Sequence, residues 1–376
     1  MKILFLVFHG FDAFNGISKK IGYQIEALRI LGHQVELGSL AVDERGRWKR
    51  MGGNRVVEDF GAGIVGKLKK RWRYGSLARY IVEDGFDFVY MRSDHNANPF
   101  MIRMARRVRR AGIAMVMEIP TYPYDQEYRT LGLKEKTELA IDRIYRRALA
   151  RQLRAVVTFS DLSSIFGQRA IRISNGVSFE RIPVRREHDP VRGEVHLVAV
   201  ADISFWHGFD RLVRGMAVYY TCKQRSADVY LSIVGRGRAE TLDELRRTVR
   251  QNGLERWVRF TGPLFGEALD REFDRADMAV GSLGRHRSGI SYIKTLKNRE
   301  YAVRGIPFVY SECDSDFERM PYVLKAPADE SPLDVGALVA FCSGRRFSAA
   351  EIRESVRFLS WENQMRKVLD ESLKTA

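Results

Sequence analysis

Short apolar segments of strand length alternate with stretches of helical periodicity along the whole chain, and this alternation restricts the fold more than any other feature. The first half contains five strand-like runs, at residues 3–8, 33–37, 86–91, 114–119 and 155–159. Between the first two, residues 18–31 carry apolar side chains at helical spacing, and Gly32 ends the pattern. Strands and helices in this order are typical of βαβ units, which form parallel sheets.

The same alternation begins again after a polar, proline-containing stretch at residues 184–193, which we interpret as a linker. The second set of strand-like runs lies at residues 195–200, 229–234, 258–260, 278–281 and 307–310. We therefore expect two doubly wound, Rossmann-like α/β domains, 1–186 and 187–357. The remaining segment, at about 358–376, is helical in pattern and is expected to pack back on the first domain.

The chain has 376 residues, of which 45% are hydrophobic and 29% charged, without a low-complexity tract. This composition excludes disordered, collagenous and coiled-coil proteins. The three cysteines, Cys222, Cys313 and Cys342, are too few and too far apart for a disulfide framework or a CxxC metal site. No apolar run approaches the ~20 residues of a spanning helix, so we expect neither a signal peptide nor a transmembrane segment, and a cytoplasmic location.

Positive charge is concentrated in the first half of the chain. Residues 1–186 contain 34 lysines and arginines against 19 acidic residues, whereas the remainder contains 29 against 28, and 48 of the 63 basic residues are arginines. Arginine suits phosphate groups, so the first domain is expected to face nucleic acid, an anionic membrane surface or a phosphorylated substrate. An arginine-rich proteome would give the same bias without a partner.

Polar residues follow the strand-like runs of the first domain, where doubly wound folds bind ligands. The loop after the first run contains Gly10 and Gly16, which either admit a ligand or only form a turn. The run at 86–91 leads into Arg92, Asp94 and His95, which we take as candidate acceptor-binding residues. Each of them has an ordinary surface interpretation as well.

The run at 114–119 leads into an aromatic and acidic loop, EIPTYPYDQEY, at residues 118–128. Tyr122 and Tyr124 can stack on a sugar ring, and the carboxylates of Glu118 and Asp125 can accept hydrogen bonds from hydroxyls. The alternative is a rigid aromatic loop with solvated acids.

In the second domain, three segments after strand-like runs combine polar residues with glycine. Asp202, His207 and Arg211 belong to DISFWHGFDRLV, whose helix start favours phosphate. Gly235 is part of a GxG turn, a weak signal. The strongest segment is SGISYIKTLKNREYAVRGIPFVYS, in which a helix start at Thr295 and Leu296 can hold a diphosphate, Lys294 or Lys297 can supply charge, and Glu300 can accept ribose hydroxyls. A surface Lys–Glu pair would leave the same pattern.

Taken in order, IVGRG, GLERWVRFTGPL, LKNREYAVRGIPFVY and the late Trp361 resemble glycosyltransferase family 4 and its relatives of the GT-B fold. The resemblance covers the whole chain, most clearly from about 195 to 307. It implies two Rossmann-like domains facing each other across a cleft, an acceptor-binding first domain, a nucleotide-sugar-binding second domain, and sugar transfer with retention. Glu300 matches the second glutamate of the family's EX7E motif, and residues 293–296 match the amides that hold the diphosphate.

The chain departs from the family pattern at several positions. Tyr292 replaces the first glutamate of the motif. The family's Arg and Lys for the diphosphate fall near Asp202 and His207, which leaves Arg211, Lys294 or Lys297 to supply the charge. The family's first-domain histidine falls near Pro120, with Glu118 or Asp125 as the nearest polar substitutes.

Two further expectations concern metal and membrane. Asp314-Ser315-Asp316 is formally a DxD motif, but it comes late in the chain, and we expect no catalytic metal and no cofactor beyond the nucleotide-sugar co-substrate. Three basic segments of the first domain, at residues 67–80, 103–110 and 143–154, include aromatic residues, a composition that suits a lipid headgroup interface.

We therefore expect a glycosyltransferase, peripheral to the inner face of a membrane, that passes a sugar to a saccharide or lipid-linked acceptor in surface polysaccharide or glycolipid assembly. The alternatives are a nucleic-acid-binding protein that uses its basic half, a non-catalytic scaffold of the same fold, and a nucleotide-sugar epimerase. No helix-turn-helix, RRM or zinc pattern supports the first of these.

Overall fold

The structure is a computed structural model that describes residues 1–11, 16–128, 132–187, 189, 191–344 and 347–374. It divides into two compact units. Unit 1 comprises Met1–Ser174 together with Trp361–Ala376, and unit 2 comprises Asn175–Ser360.

In its described residues, unit 1 contains a nine-stranded sheet of order β4-β3-β2-β1-β5-β6-β7-β9-β8. The strands are β1 (Lys2–Gly10), β2 (Gln34–Val42), β3 (Arg47–Gly52), β4 (Arg55–Ala62), β5 (Phe88–Arg92), β6 (Ala114–Ile119), β7 (Ala155–Thr158), β8 (Ser164–Ile165) and β9 (Gln168–Arg172). Strands β2, β1, β5, β6, β7 and β9, neighbours in that order, pair in parallel. Strands β3, β4 and β8 pair antiparallel with their neighbours. The helices before the unit boundary are α1 (Gly16–Ile30), α2 (Gly63–Trp72), α3 (Gly75–Glu83), α4 (Pro99–Arg110) and α5 (Leu133–Ala150).

In its described residues, unit 2 contains a six-stranded, wholly parallel sheet of order β12-β11-β10-β13-β14-β15. Its strands are β10 (Glu194–Ile203), β11 (Asp228–Gly237), β12 (Val258–Gly262), β13 (Met278–Val280), β14 (Phe308–Tyr310) and β15 (Val323–Lys325). Its helices are α6 (Phe209–Thr221), α7 (Ala239–Gln251), α8 (Glu267–Asp274), α9 (Leu296–Arg304), α10 (Val335–Gly344) and α11 (Ala349–Ser355).

The last helix, α12 (Trp361–Leu373), belongs to unit 1, which confirms the predicted return of the chain. Trp361, Met365 and Val368 are buried on one face of the sheet together with α1. On β1, successive side chains point to opposite faces of the sheet. Phe5 packs in the apolar cluster with Trp361, whereas Leu4 packs in the cluster beneath α3 and α4. Both faces of the central strand are therefore apolar, as a covered parallel sheet requires.

The unit boundary lies at Ser174, earlier than the expected division after residue 186, and this corrects the predicted domain limits. Val177 and Phe179 are buried in the core of unit 2. The Arg185 backbone donates to the Arg304 carbonyl at 2.8 Å, and its guanidinium donates to the carbonyls of Gly305 and Ala276. These contacts hold the beginning of the predicted linker against unit 2.

Several strands were absent from the sequence prediction. The hairpin of β3 and β4 carries charged residues on nearly every second position, so its apolar content is low, although Gly53-Asn54 between the strands is a turn signal. In the described part of the chain, no helix has both the length and the apolar character needed to cross a bilayer.

Candidate functional site

The strongest site candidate lies at the carboxyl ends of the unit 2 strands, the edge at which open parallel sheets bind ligands. It consists of four side chains from different elements: Ser282 after β13, Arg285 in the following 3₁₀ turn, Lys297 at the start of α9, and Glu312 after β14. We call these four residues the strand-end cluster. Each has a buried polar side-chain atom that has no hydrogen-bond partner among the residues that the structure describes. Such atoms are rare in folded proteins, because burying a polar group without a partner costs free energy.

The Lys297 ammonium is the most unusual group of the cluster. Its Nζ is buried, donates no hydrogen bond and forms no ion pair among the described residues, and lies 5.9 Å from the centre of the Phe209 ring. Burial, together with the nearby Arg285 charge, lowers the pKa of Lys297 to about 7, although Glu312 acts in the opposite direction. The side chain therefore changes charge in the neutral pH range, which a solvated lysine does not do.

Glu312 lies beside Lys297 and Arg285 without bonding either of them. Both of its carboxylate oxygens are buried, and no other residue in the described part of the chain donates a hydrogen bond to them. Burial raises the pKa of Glu312 to about 7, against a contact with its own backbone N–H and the attraction of Arg285 and Lys297. The cluster thus contains opposite charges that are close enough to interact but are separated by more than an ion-pair distance.

The first turn of α9 supplies backbone donors next to this cluster. Thr295 caps the helix by accepting a hydrogen bond from the Asn298 backbone, and the helix begins at Leu296. Because the first N–H groups of a helix have no partner within it, such an end attracts anions. Lys297 therefore lies on a helix end that already favours phosphate.

The turn that leads into α6 borders the cluster on another side. Gly208 has a φ of 63°, and a Cβ there would lie 2.6 Å from the backbone nitrogen of Gly284. His207 is buried, and its Nδ1 accepts a hydrogen bond from the Ser204 backbone at 2.9 Å. Burial and the charges of Lys297 and Arg285 lower the pKa of His207 to about 2, so the imidazole is neutral.

The DxD segment belongs to a buried ion network instead of standing open. Both oxygens of Asp314 accept hydrogen bonds from Arg299, at 2.6 and 3.0 Å, and both side chains are fully buried. Asp316 pairs with Arg299 and, at 3.2 Å, with Lys294. Two of the three expected sources of diphosphate charge therefore differ: Lys294 is paired, whereas Lys297 has no ion pair among the described residues.

The other residues expected to bind the donor have varied surroundings. Arg211 is fully buried, and its guanidinium donates to the carbonyls of Leu283, Pro327 and Ser331. Asp202 is 80% exposed and lies 4.0 Å from Arg236. Glu300 accepts a hydrogen bond from Arg304 at 3.0 Å, and Leu296 is exposed.

Gly235 has a φ of 138°, and a Cβ there would lie 1.8 Å from the Ala201 carbonyl oxygen, so close strand packing explains this glycine. Tyr292, where the family resemblance expects a carboxylate, is hydrogen-bonded to Ser315 at 2.9 Å. In unit 1, Gly16 begins α1, and residues 12–15 of the preceding loop lie outside the described residues.

Glu118 and Arg92 form a buried pair in the core of unit 1. The Glu118 carboxylate also accepts hydrogen bonds from Gln24 Nε2 at 2.7 Å and from the Tyr90 hydroxyl at 2.6 Å. Burial raises the pKa of Glu118, but Lys20, Arg92 and these hydrogen bonds outweigh burial and lower the pKa overall. A carboxylate with these partners is an anchor between strands and a poor proton acceptor.

The aromatic loop is held by similar contacts. Tyr124 is buried, its hydroxyl donates to Asp142, and its ring stacks on His95 with centroids 3.7 Å apart. Asp125 accepts hydrogen bonds from Arg146 at 2.8 and 3.3 Å, which hold its pKa below the usual range. Tyr122 packs edge-on against Phe166.

Asp94, in contrast, opens into a cavity of about 110 Å³ at the carboxyl end of β5. The cavity is lined by aromatic, cationic and acidic side chains, among them Lys70, Arg71, Trp72 and Glu138. Asp94 is exposed to solvent, but its surroundings raise its pKa through desolvation. Of the five residues expected to bind an acceptor, Asp94 and His95 line this cavity.

Sequence reasoning missed Glu312, Arg285 and Ser282. Each follows a three-residue strand or lies in a 3₁₀ turn, where no periodic pattern marks it. The one available signal is the position of Glu312 directly after a strand, which is the same signal that selected Asp94. Among the described residues, no group of three His, Cys, Asp or Glu side chains is arranged to hold a metal ion.

No protein-family model and no curated protein matches the chain. Solved structures share its fold at low identity. The match with the lipopolysaccharide outer core galactosyltransferase WaaB covers 99% of this chain and 99% of that one, at TM-score 0.58 and 13% identity. Anabaena HepE, solved in complex with UDP and glucose, matches over 99% of this chain and 100% of its own, at TM-score 0.54 and 16% identity.

A third structure, trehalose-6-phosphate from E. coli bound with UDP-2-fluoro glucose, matches over 100% of both chains at TM-score 0.58 and 12% identity. The structures that resemble this chain are GT-B enzymes. The chain therefore has the GT-B fold, an α/β architecture of two Rossmann-like domains with parallel sheets, as the sequence predicted.

Proposed function

We propose that this protein is a glycosyltransferase whose unit 2 binds a nucleotide-sugar by its diphosphate. The observation that carries the proposal is the buried, unpartnered ammonium of Lys297 at the anion-attracting end of α9. Keeping a cation there costs folding free energy unless a ligand offsets it. The GT-B fold supports the proposal, since neighbours of this fold are glycosyltransferases and HepE was solved with UDP and glucose.

In this proposal, the diphosphate of the donor lies against the first N–H groups of α9, with Lys297 and Arg285 as its counter-charges. When the bond to the sugar breaks, negative charge develops on the diphosphate. Cations fixed in a buried site stabilise that charge by an amount that is commonly several kcal/mol. Glu300, one turn further along α9, is the candidate ligand for the ribose hydroxyls.

We propose metal-independent transfer because Asp314 and Asp316, the two carboxylates of the DxD segment, are already neutralised by Arg299 and Lys294. A divalent cation would have to displace these partners. Retention at the anomeric carbon and a hexosyl donor follow from the family resemblance, and they are part of the same proposal.

The cavity around Asp94 is the proposed acceptor subsite in unit 1. It combines a carboxylate that can accept hydrogen bonds from hydroxyls with Trp72, an aromatic ring that is 53% exposed. Carboxylates beside exposed aromatic rings suit saccharides, which present hydroxyls at their edges and apolar faces. A saccharide or lipid-linked acceptor of surface polysaccharide or glycolipid assembly fits this subsite.

Association with the inner face of a membrane is the last element of the proposal. Helix α2 exposes Ile64, Val65 and Leu68 next to Lys67 and Lys69. Exposed apolar residues beside cations are typical of helices that lie in a lipid headgroup interface.

The test is a thermal-shift screen of the protein against UDP, GDP, ADP, CMP and dTDP, followed by titration with the corresponding nucleotide-sugar. A ligand that binds only the folded state raises the melting temperature. Lys297→Met should abolish the shift, because it removes the charge but keeps a long apolar side chain. Lys223→Met, at an exposed position of the same unit, is the matched control and should keep it.

If no nucleotide shifts the melting temperature of the wild-type protein, the proposal fails. An incubation of the nucleotide-sugar without acceptor separates the rival enzyme class, since an epimerase would convert the donor alone. Chelation of divalent ions by EDTA should leave transfer unchanged, and a loss of activity would contradict the metal-independent mechanism.

A further inference from the structure

A second groove of unit 1 adjoins the Asp94 cavity and has a different chemistry. It occupies about 400 Å³ between α3 and α4, and Trp72 and Tyr74 line both cavities. Its cationic residues come from three places: Arg73 before α3, Arg79 on α3, and Arg103 and Arg107 on α4. We call this the arginine groove.

Positive charge in the arginine groove exceeds what the protein itself neutralises. Its one acidic lining residue is the buried Glu58, which lies 2.8 Å from Arg73 and 3.7 Å from the buried Arg50. Among the described residues, no carboxylate lies within ion-pair distance of Arg79, Arg103 or Arg107. Three guanidinium groups therefore share one concave surface without an ion-pair partner among the described residues, and Glu58 is the only lining carboxylate that acts on one of them, Arg79, through its charge.

The local structure explains why these arginines converge. Helix α4 buries Met101, Met104 and Val108, which leaves Arg103 and Arg107, four residues apart, on the side that borders α3. On α3, the groove floor is made by Gly75, Ser76 and Ala78, whose small side chains leave room between the helices. The rim contains Phe100, which is 42% exposed.

Like charges gathered in a concave space repel one another, and the low-dielectric walls strengthen that repulsion. An anion with several oxygens offsets it. A guanidinium group donates paired hydrogen bonds to two oxygens of an anion. A carboxylate has one such pair of oxygens, whereas a phosphate has several, so a phosphate can bind more than one arginine in this way.

We propose that the arginine groove binds a phosphate ester, and that the acceptor of this enzyme is a phosphorylated saccharide with its sugar in the Asp94 cavity and its phosphate in the groove. The inference rests on the proposed function, which supplies the sugar transfer, and it adds the chemical class of the acceptor. The phosphate can belong to a free sugar phosphate or to a lipid-linked headgroup, since both present the same group.

The decisive experiment exploits helix α4, which carries two pairs of arginines at the same spacing. All four arginines are exposed, but Arg103 and Arg107 line the groove, whereas Arg106 and Arg110 do not, so we compare Arg103→Ala with Arg107→Ala against Arg106→Ala with Arg110→Ala. Both double variants change the net charge equally and keep the helix. Folding of unit 1 is checked by urea denaturation of each double variant, and the thermal shift with the nucleotide identified above reports on unit 2.

The probe for the first arm is glucose 1-phosphate, with glucose as its uncharged counterpart, titrated by isothermal calorimetry or NMR. We expect the groove variant to bind glucose 1-phosphate about tenfold more weakly, as the loss of charge-assisted hydrogen bonds predicts, and the control variant to bind it like the wild type. The affinity should also fall with added salt.

The second arm uses vesicles of phosphatidylcholine with and without a polyprenyl phosphate. Stronger sedimentation of the wild type and the control with the phosphate-bearing vesicles, and not of the groove variant, would identify the lipid-linked source. Binding of glucose 1-phosphate alone would identify the soluble source.

Equal loss in both double variants, or no binding of either probe, would overturn the inference, because the arginines would then act as a diffuse charge. Nucleotide binding that persists in these variants would show that only the acceptor assignment has failed. A wild-type protein that binds no nucleotide would instead contradict the proposed function.

Discussion

Arg299 and Asp314 form a two-pronged ion pair in which neither side chain has any exposure to solvent. Removing one partner of a buried pair typically costs about 3–5 kcal/mol, and after the loss of Asp314 the buried Arg299 charge would keep only Asp316 as a carboxylate partner among the described residues. We therefore expect Asp314→Ala to lower the free energy of unfolding of unit 2 by about 3–5 kcal/mol, measured by urea denaturation. The same variant should lower the stability of the α9 end on which Lys297 lies.

The control is Asp243→Ala, which removes the acid of an exposed pair with Arg246 on α7. Exposed pairs contribute about 0–1 kcal/mol, so this variant should unfold nearly like the wild type. A similar loss in both variants would contradict the special role of the buried pair.

The Glu312 carboxylate should make stability depend on pH. Its pKa in the folded protein, about 7, is above the ordinary value of 4.5, so the folded state keeps a proton that the unfolded state has released. The contribution of Glu312 to the free energy of unfolding is therefore most favourable below pH 4.5, and it falls as the pH rises from there through 7. Glu312→Gln should remove this decline and raise the free energy of unfolding at pH 7 by about 1–3 kcal/mol, with little gain at pH 5.

The check is urea denaturation of wild type and variant at pH 5 and pH 7. Glu354→Gln, at an exposed position of the same unit, serves as the control and should leave the pH profile unchanged. A Glu312→Gln protein with the same decline as the wild type would show that the carboxylate has a partner after all.

Donor binding should weaken as the pH rises, because the anionic diphosphate favours the protonated Lys297. With a pKa of about 7, this side chain is mostly charged at pH 6 and mostly neutral at pH 8. Loss of one required proton over this range reduces the affinity about tenfold. His207 stays neutral throughout and contributes no step, since its pKa is about 2.

A nucleotide-sugar is the right probe, because its terminal phosphate is esterified to the sugar and lacks the second ionisation that a free nucleoside diphosphate has at about pH 6. Calorimetric titration at pH 6, 7 and 8 measures the effect. Lys297→Arg should flatten the profile, because arginine remains charged. An affinity that is constant with pH in the wild type would contradict the placement of Lys297 at the diphosphate.

Gly208 should be needed for the site, whereas another glycine of the same backbone conformation should not. Gly208 and Gly253 have φ values of 63° and 65°, but a Cβ at Gly208 would meet the backbone of Leu283 and Gly284, and a Cβ at Gly253 meets no atom within 4 Å. Gly253→Ala should cost only the conformational strain, about 1 kcal/mol. Gly208→Ala should cost more and should weaken nucleotide binding, measured by thermal shift, because it displaces the residues that lead to Arg285.

How far the sequence predicts this protein depends on whether a property is local. The first strand, expected at residues 3–8, and the helix that Gly32 ends depend on neighbouring residues, and both were correctly expected. The start of α9 was also expected, because Thr295 is a helix-capping residue just before a helical pattern.

The state of each candidate side chain, in contrast, is set by residues far along the chain. Lys294 and Lys297 lie in the same segment and look equivalent in sequence, yet Asp316 pairs with one of them, and the other remains unpartnered. The sequence suggested Glu118 as a candidate acid, but its carboxylate accepts hydrogen bonds from Gln24 and Tyr90, which belong to other elements. Periodicity and spacing contain no information about such contacts.

The apolar stripe on α2 gives the last prediction, which concerns the membrane. Ile64 and Leu68 are four residues apart and exposed, and the same helix contains Lys67 and Lys69, so both apolar burial and attraction to anionic lipid are available. We expect sedimentation with vesicles containing phosphatidylglycerol, and Leu68→Glu should strongly reduce it, because a carboxylate would then enter the headgroup region. Val218→Glu, at an exposed apolar position of α6 in unit 2, is the matched control and should sediment like the wild type. Equal sedimentation of the wild type, Leu68→Glu and Val218→Glu would show that α2 does not insert into the headgroup region. If high salt abolished the sedimentation of all three proteins, the attraction to the vesicles would be due to charge alone.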